Sequence, residues 1–522
     1  MHQVFVTLTN EKAYLTEYAE GMYEKLQDHW SFYPQGYRWS PSHKLWLWKK
    51  IEADKKKART GQEYDINSLP GWNGKLKILK QGSLPAGFFR AVYRDTEQEL
   101  KLKFVITYDL PQLKPFLPGL PASDDPKYSY QDDCVEAMCK ALKRGGGIVL
   151  SATGTGKTAL TAKFFSKLPY TCLFVVDQID LMYQTQEEIA MWLGEAVGVV
   201  GDREFELQRV TVATRQTLGK HLKDKKYYKW FRSIQVQVID ELHEQMGRTN
   251  FNILEQVQPI ARYGLTATLQ LTKKHIRAKA WMFAGPVIFE FPLSEGVESG
   301  VLSEGTAIQL RFPERVIGDE VYHYAYRDEV VNNDDKHEAL RRIVQYMVTA
   351  GRHTIALVEH VKHVEALSNV CEEIPHTLAY GAVGQEIRVR DRGRFEKGRI
   401  PLIIANKVFK KGINVKVVDV MIDAAEMKSS NDTQQKYGRG VRLHPDKEQL
   451  VYIDIGTEGN GRFGKRARSR VRSLRKLGVK VKVVNVETPR AALKAVVKFM
   501  GALCKTSKEQ QPGRQLTLSL KN

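Results

Sequence analysis

The clearest chemistry in this chain lies in SATGTGKT, from Ser151 to Thr158. Gly154 and Gly156 let the backbone turn so that its N–H groups face phosphate oxygens, and Thr153 and Thr155 complete the loop. Lys157 brings a point charge for the β- and γ-phosphates of ATP, and the Thr158 hydroxyl can hold Mg2+. The strict pattern asks for Gly at 151, where this chain has Ser. A second site lies in VQVIDELHE, a β-branched run ending in Asp240 and Glu241. An acid at the C-terminal end of a strand lies beside such a loop. Asp240 would hold the metal through water, and Glu241 would orient or deprotonate the attacking water. Phosphoryl transfer asks for positioning and charge neutralisation more than covalent chemistry. ATP and Mg2+ are therefore the expected cofactors.

These residues need strands and helices to hold them. GIVL before the loop reads as a buried strand and ALTAKFFSKL after it as a helix, so a bound anion would sit at a helix N-terminus. TCLFVVDQIDLMYQTQEEIAMWL, RVTVATRQTLGKHL and VQVIDELHEQM repeat the order strand, turn, helix, the signature of a parallel sheet with crossover helices. The pattern breaks near 285–335 and resumes in HTIALVEH, RIPLIIAN and VVDVMIDAA. The expected class is α/β, with two tandem parallel-sheet domains at 128–290 and 300–456. A small α+β domain at 1–118 precedes them, and a short basic region at 457–522 follows. PQLKPFLPGLPASDDPK, Pro111 to Lys127, carries five prolines and reads as a linker.

Composition narrows the partner. Lys plus Arg number 80 against 60 Asp plus Glu, and a net charge of +20 points to a polyanion, nucleic acid ahead of a membrane surface. Five scattered cysteines without a CxxC pair argue against a zinc knuckle or iron–sulfur cluster and suit a reducing cytosol. The opening MHQVFVTLTN lacks the layout of a signal peptide, and no apolar run nears the ~20 residues of a membrane span. The expected location is the cytoplasm.

The order GTGKT, DELH, LTAT and QKYGRGVR resembles the superfamily 2 helicases over 128–456. That resemblance implies two RecA-like domains with ATP bound between them. It implies that Gln131 reads adenine, and that Thr266, Ala267 and Thr268 couple hydrolysis to domain movement. Gln184, Thr214 and Gln216 would contact a strand backbone. IIANKVFKKGINV, with Gly412, would touch both nucleotide and strand, although Asn406 stands where Thr is usual and Asn414 where Asp is usual. Arg439 and Arg442 resemble the arginine fingers, with Gln435 and Gly438 completing that motif. Arg suits this role because its planar fork grips a γ-phosphate bidentately, and a spacing of three predicts that both arginines share one helix face.

GRFGKRARSRVRSLRKLGVK, from Gly461, holds nine Lys or Arg and no acid. Arg462, Lys465, Arg466, Arg468, Arg470, Arg472, Arg475 and Lys476 are candidate phosphate contacts, which give salt-dependent affinity without base sequence. At the front, YRWSP, GWNGKLKIL and SLPAGFF are similar to the small N-terminal domain of UvsW-type phage DNA helicases. Trp72, Phe88 and Phe89 there would stack on bases or pack as core, and Lys75, Lys77 and Lys80 would face phosphates. Glu99 and Lys101 form an E-x-K as in nuclease domains of similar motors, but Asp95 lies too near in sequence to come from a preceding strand.

The resemblance thus implies an ATP-hydrolysing DNA helicase or translocase. It would move 3′ to 5′ and remodel duplex or branched DNA in recombination, repair or replication restart. An RNA helicase is one alternative, and a non-unwinding duplex-DNA motor subunit of a restriction-type complex is another. The expected protein is a monomer with DNA as partner, RNA as the alternative, and single-strand-binding or recombination proteins beside it. No membrane is expected.

Overall fold

Aliphatic and β-branched runs bounded by glycine, proline and aspartate make the strands, as such runs favour the pleated conformation. The structure, a computed structural model, describes residues 2–510 apart from 35–36, 222–223, 268–273, 316–320, 382, 407–416, 428–429, 446 and 448. Residues up to Ser151 with Lys157–Glu290 form one compact unit, and Ala152–Gly156 with the chain from Phe291 onward form the other.

The first unit opens with β1 (His2–Leu8), β2 (Lys12–Glu17), the short antiparallel pair β3 (Ser31–Phe32) and β4 (Leu76–Lys77), β5 (Ser83–Pro85) and β6 (Leu102–Tyr108). One sheet has the order β5-β2-β1-β6, with β1 antiparallel to β2 and parallel to β6. Phe88 and Phe89 lie on the helix Ala86–Leu100 and belong to this sheet's core, where Phe89 meets Phe104 edge to face. Phe88 is 5% and Phe89 0% exposed, so of the two expected roles, base stacking and core, both take the core one, and their place among the DNA contacts is corrected. Glu99 is helical and Lys101 ends that helix with φ 52°, so E-x-K lies on no strand and the nuclease pattern has no frame. Gly87 allows a close crossing with the helix Lys274–Ala284, because a Cβ there would lie 2.4 Å from the Trp281 carbonyl oxygen.

The same unit continues with β7 (Gly146–Ser151), β8 (Cys172–Val176), β9 (Gly198–Gly201), β10 (Glu204–Glu206), β11 (Val210–Thr214), β12 (Val236–Ile239), β13 (Ala261–Thr266) and β14 (Val287–Phe291). The order is β10-β9-β11-β8-β12-β13-β7-β14, and the strands from β9 to β7 run parallel. Helices cover both faces, so the strands are buried on both sides and read as continuous apolar runs. The proline-rich segment has no helix or strand over 109–119, yet it is tied down: Lys114 N–H donates to Tyr170 Oη (2.7 Å) and Leu117 N–H to the Lys167 carbonyl (2.9 Å).

The second unit holds β15 (Gly305–Phe312), β16 (Thr354–Leu357), β17 (His376–Ala379), β18 (Leu402–Ala405), β19 (Val420–Asp423), β20 (Leu450–Thr457) and β21 (Lys480–Asn485). Their order is β17-β18-β16-β19-β20-β15-β21. The expected basic tail beyond 456 is not an appendage. β21 pairs with β15, and the helix Pro489–Gln510 sends Val496, Phe499 and Met500 into the core. Among the described residues, no helix is long and apolar enough to cross a membrane.

Candidate active site and nucleic-acid surfaces

In the first unit β13 lies between β7 and β12, and all three run parallel, so the segments leaving their C-terminal ends converge. β7 leads through 152–156 into the helix Lys157–Ser166. Gly154 (φ 94°) and Gly156 (φ 74°) take the left-handed conformation that opens such a loop, and Thr155 Oγ1 donates to the Ala152 carbonyl (2.7 Å). Lys157 Nζ donates to the Ser151 carbonyl at 3.4 Å and stands 3.9 Å from Glu241 Oε1. Asp240 follows β12 and its Oδ1 accepts from the Glu241 N–H (2.9 Å). Glu241 has φ 48°, a costly conformation for a residue with a Cβ, and strain of this kind concentrates at working sites. Its Oε2 is buried and accepts no hydrogen bond from a described residue, an acceptor suited to a water molecule. The lysine, the acids and the half-buried Thr158 fit a Mg·nucleotide: Thr158 and Asp240 would hold the ion, which would neutralise phosphate charge.

His243 was not singled out from the sequence, and it joins the two neighbouring motifs. Its Nδ1 is 2.8 Å from Thr266 Oγ1 and 3.4 Å from Glu241 Oε2. The imidazole therefore bridges the acidic turn after β12 to the end of β13. Its place in DELH, two residues past the acid, was the available signal. Ala267 is half-buried just past β13, whereas Thr268, Gly412 and Asn414 lie outside the described residues. Gln131 is buried, with its amide donating to Tyr130 Oη at 3.3 Å.

In the second unit Gln435 and Arg439 lie on the helix Ser430–Gly440. Arg442 does not share that helix. The helix ends at Gly440, and Arg442 forms an isolated bridge with Leu302, so the single helix face expected for both arginines is corrected. A Cβ at Gly440 would meet Leu450 Cδ2 at 2.6 Å, which fixes how closely this end packs. The turn is held by Lys447, whose Nζ donates to the Gly440 and Arg442 carbonyls, the latter at 3.2 Å. Burial pushes the Lys447 ammonium down to about 8, against an opposing pull from Asp419. Asn406, just past β18, donates its N–H to the Ala379 carbonyl at 3.2 Å.

The candidate strand contacts divide. Gln184 is half-buried on the helix Ile179–Leu193, and Gln216 is exposed with its amide donating to the Asp177 carbonyl (2.6 Å). Thr214 is buried and caps the helix Arg215–Lys220, so it is a structural cap and its role as a strand contact is corrected. Trp72 is half-buried with its indole N–H donating to the Lys75 carbonyl (2.7 Å), and Lys75 pairs with Asp28. Lys77 is exposed. Arg470 is 1% exposed and ion-paired with Asp454 at 2.8 Å, so it is no phosphate contact. Arg466 donates to Tyr322 Oη (3.0 Å) and lies over that ring, and Arg468 donates to the Gly459 carbonyl (2.6 Å). Arg466 is turned onto this ring and Arg468 is tied to a backbone carbonyl, so both guanidiniums are engaged within the chain, which corrects their expected role as well.

The GWNG turn seats the helix Pro41–Thr60. A Cβ on Gly71 (φ 99°) would lie 2.5 Å from the Ser42 carbonyl oxygen, and Trp72 N–H donates to that same carbonyl (3.0 Å). His43 Nδ1 is 3.2 Å from the Trp72 carbonyl oxygen. The seated helix carries Trp48 (53% exposed), and Trp39 (78% exposed) just precedes it. Lys49 lies over the Trp48 ring at 4.1 Å and Lys44 over Trp39 at 5.7 Å. In sequence this stretch reads as a charged insertion, because no core-facing period marks it.

Residues 126–271 match the family described as the type III restriction enzyme, res subunit, and residues 335–444 match the helicase conserved C-terminal domain. These two matches, in this order, make the chain similar to a superfamily 2 helicase over both of its motor regions. The chain is 27% identical over 202 residues to a DNA 3′-5′ translocase XPB2 of Sulfurisphaera tokodaii, a match covering 38% of this chain and 41% of the relative. It is 21% identical over 337 residues to a DNA 3′-5′ helicase XPB of Kineococcus radiotolerans, covering 62% of this chain and 59% of the relative. The chain thus spans about half the length of these relatives. Among solved structures, S. cerevisiae Dbp5 bound to RNA and ADP BeF3 aligns with a TM-score of 0.50 at 14% identity, covering 72% of this chain and 97% of that one. Helicase MrfA bound to DNA aligns with 0.52 at 13% identity, covering 72% and 53%. T4 UvsW aligns over 92% of this chain and 99% of that one at 17% identity, with a TM-score of 0.41.

Proposed function

We propose that this helicase hydrolyses Mg·ATP to move along DNA, unwinding or remodelling duplex and branched substrates in the 3′-to-5′ direction. The reading is supported most by one arrangement: Lys157 Nζ stands 3.9 Å from Glu241 Oε1, at the ends of strands that flank β13. The lysine would hold the phosphates, Thr158 and Asp240 the Mg2+, and Glu241 the attacking water. Arg439 and Arg442 would meet the charge that develops on the γ-phosphate. Thr266 and Ala267, through His243, would carry the nucleotide state to the rest of the motor. Gln131 would read adenine.

The preference for DNA rests on the two XPB relatives and on the front of the chain. The helix Pro41–Thr60, with Trp39 and Trp48 exposed beside lysines, offers what an unpaired base and its phosphate need: an aromatic face and a cation. The front domain, the residues up to about 118, would then serve as a DNA-binding accessory to the motor domains at about 128–290 and 300–456. A protein that works on RNA is the second reading, favoured by the fold shared with an RNA-bound helicase. The test is steady-state ATP hydrolysis by the full chain with single-stranded DNA, forked DNA and RNA side by side. Stimulation by DNA well above that by RNA is expected. Stimulation by RNA alone would replace the DNA reading, and no stimulation by either would overturn the motor reading.

A further inference from the structure

The helix Arg462–Lys476 sorts its basic residues by face. Arg470 is buried against Asp454, its Nη2 donating to the Ile455 carbonyl at 2.9 Å. Arg466 lies over the Tyr322 ring at 4.6 Å, and Phe463, Ala467, Val471 and Leu474 are buried. The underside is thus pinned. Arg462, Lys465, Arg472, Arg475 and Lys476 are exposed, and at 100° per residue they fall on the opposite side. The helix contains no acid. Two other exposed helices pair cations with acids of their own: Lys49 with Glu52, Lys50 with Asp54, and Arg341 and Arg342 with Glu338. Here Lys465, Arg472, Arg475 and Lys476 have no acidic partner among the described residues.

We propose that this outer face is a nucleic-acid backbone grip in the second unit, separate from the front helix and from the motor motifs. From residue 462 to 476 the cations span about 21 Å at ~1.5 Å per residue, enough to meet several successive phosphates. The face carries no exposed aromatic or amide aimed at bases, so it reads charge and spacing and not sequence. Like charges held side by side on a pinned helix repel one another, and a row of phosphates relieves that repulsion. The inference rests on the nucleic-acid reading above and adds the surface that holds the substrate.

The experiment is equilibrium binding of the full chain to a fluorescent duplex and to a single strand, each measured across a salt series. The variant replaces Lys465, Arg472, Arg475 and Lys476 with Gln, with far-UV circular dichroism to check the fold. For duplex, each lost phosphate contact lowers the slope of log affinity against log salt by about 0.9, and for a single strand by about 0.7. A slope reduced by two or more contacts on either substrate is expected, with the charge-preserving Arg472→Lys, Arg475→Lys variant keeping the wild-type slope. A quadruple variant with the wild-type slope overturns the grip while leaving the motor reading in place. A wild-type chain that binds neither substrate overturns both. Loss of slope in the charge-preserving variant as well would show a structural effect and overturn the electrostatic grip.

Discussion

His243 Nδ1 and Thr266 Oγ1 stand 2.8 Å apart, tying the turn after β12 to the last residue of β13. Glu241 Oε2 lies 3.4 Å from the same nitrogen. One imidazole thus touches the group assigned to water and the group assigned to coupling. In His243→Ala, Glu241 loses the neighbour that orients it. Turnover of ATP is expected to fall by about tenfold to a hundredfold, the usual cost of a misplaced catalytic group. KM for ATP should change little, because Lys157 and the loop are untouched. Steady-state kinetics with and without DNA separate the two parameters.

Lys447 is the second positioning residue. It donates to the Gly440 and Arg442 carbonyls, while Ser303 donates through N–H (2.8 Å) and Oγ (2.9 Å) to the Val441 carbonyl between them. Three consecutive carbonyls are therefore held, and Arg442 leaves the helix at a fixed angle. Lys447→Met is expected to lower kcat more than it raises KM, and to cost about 1–3 kcal/mol of stability from carbonyls left without a donor. Burial holds the wild-type ammonium at about 8, so the protonated form is present below that pH and is lost above it. An alkaline fall in kcat near that value is expected in the wild type and should be missing in the variant, as read from a pH–rate profile.

Stability should also depend on acid through the second unit. His363 is buried, with neither ring nitrogen hydrogen-bonded among the described residues, and burial pushes it down to about 3, helped by His337, Lys336 and His360. Its neighbour His337, with ring centroids 5.3 Å apart, is lowered in the same direction. A histidine kept neutral in the fold but protonated when unfolded stabilises fully above its ordinary value of 6.5, and that stability is lost as pH falls from there toward about 3. At pH 5 the loss through His363 is about 2 kcal/mol. In His363→Leu the fall between pH 7 and pH 5 should be shallower by roughly that amount, measured by urea unfolding.

Two arginines on one helix should behave in opposite ways. Arg470→Met leaves Asp454 buried without its cation and is expected to cost about 3–5 kcal/mol. Arg472→Gln, two residues along and exposed, should stay within about 0.5 kcal/mol of wild type. Thermal unfolding of the two single variants tests this division of the basic run.

The motor was legible because its chemistry is local. SATGTGKT and VQVIDELHE each put their reactive residues at the end of a β-branched run, and a parallel sheet brings strand ends together. What failed was orientation. Nine cations from Arg462 to Lys480 look alike along the chain, and only the helix period, set against the buried Asp454 on β20, shows which turn inward. Phe88 and Phe89 looked like candidates for stacking, but a helix beginning at Ala86 turns them into the core. Arg439 and Arg442 have the spacing of one helix face, and the helix stops between them at Gly440. The exposure of Trp39 and Trp48 is not legible in the sequence, because an apolar residue there has no period to mark its partner.

The front domain shares its core with the motor through Ala278 and Trp281, so removing it whole would expose that surface. Point variants on full-length protein therefore carry the decisive test: strand separation of a forked, fluorescently labelled DNA by wild type and Lys157→Ala, with and without Mg·ATP. ATP-dependent separation by wild type and none by Lys157→Ala is expected. Equal strand release without ATP, or by Lys157→Ala, would contradict the account.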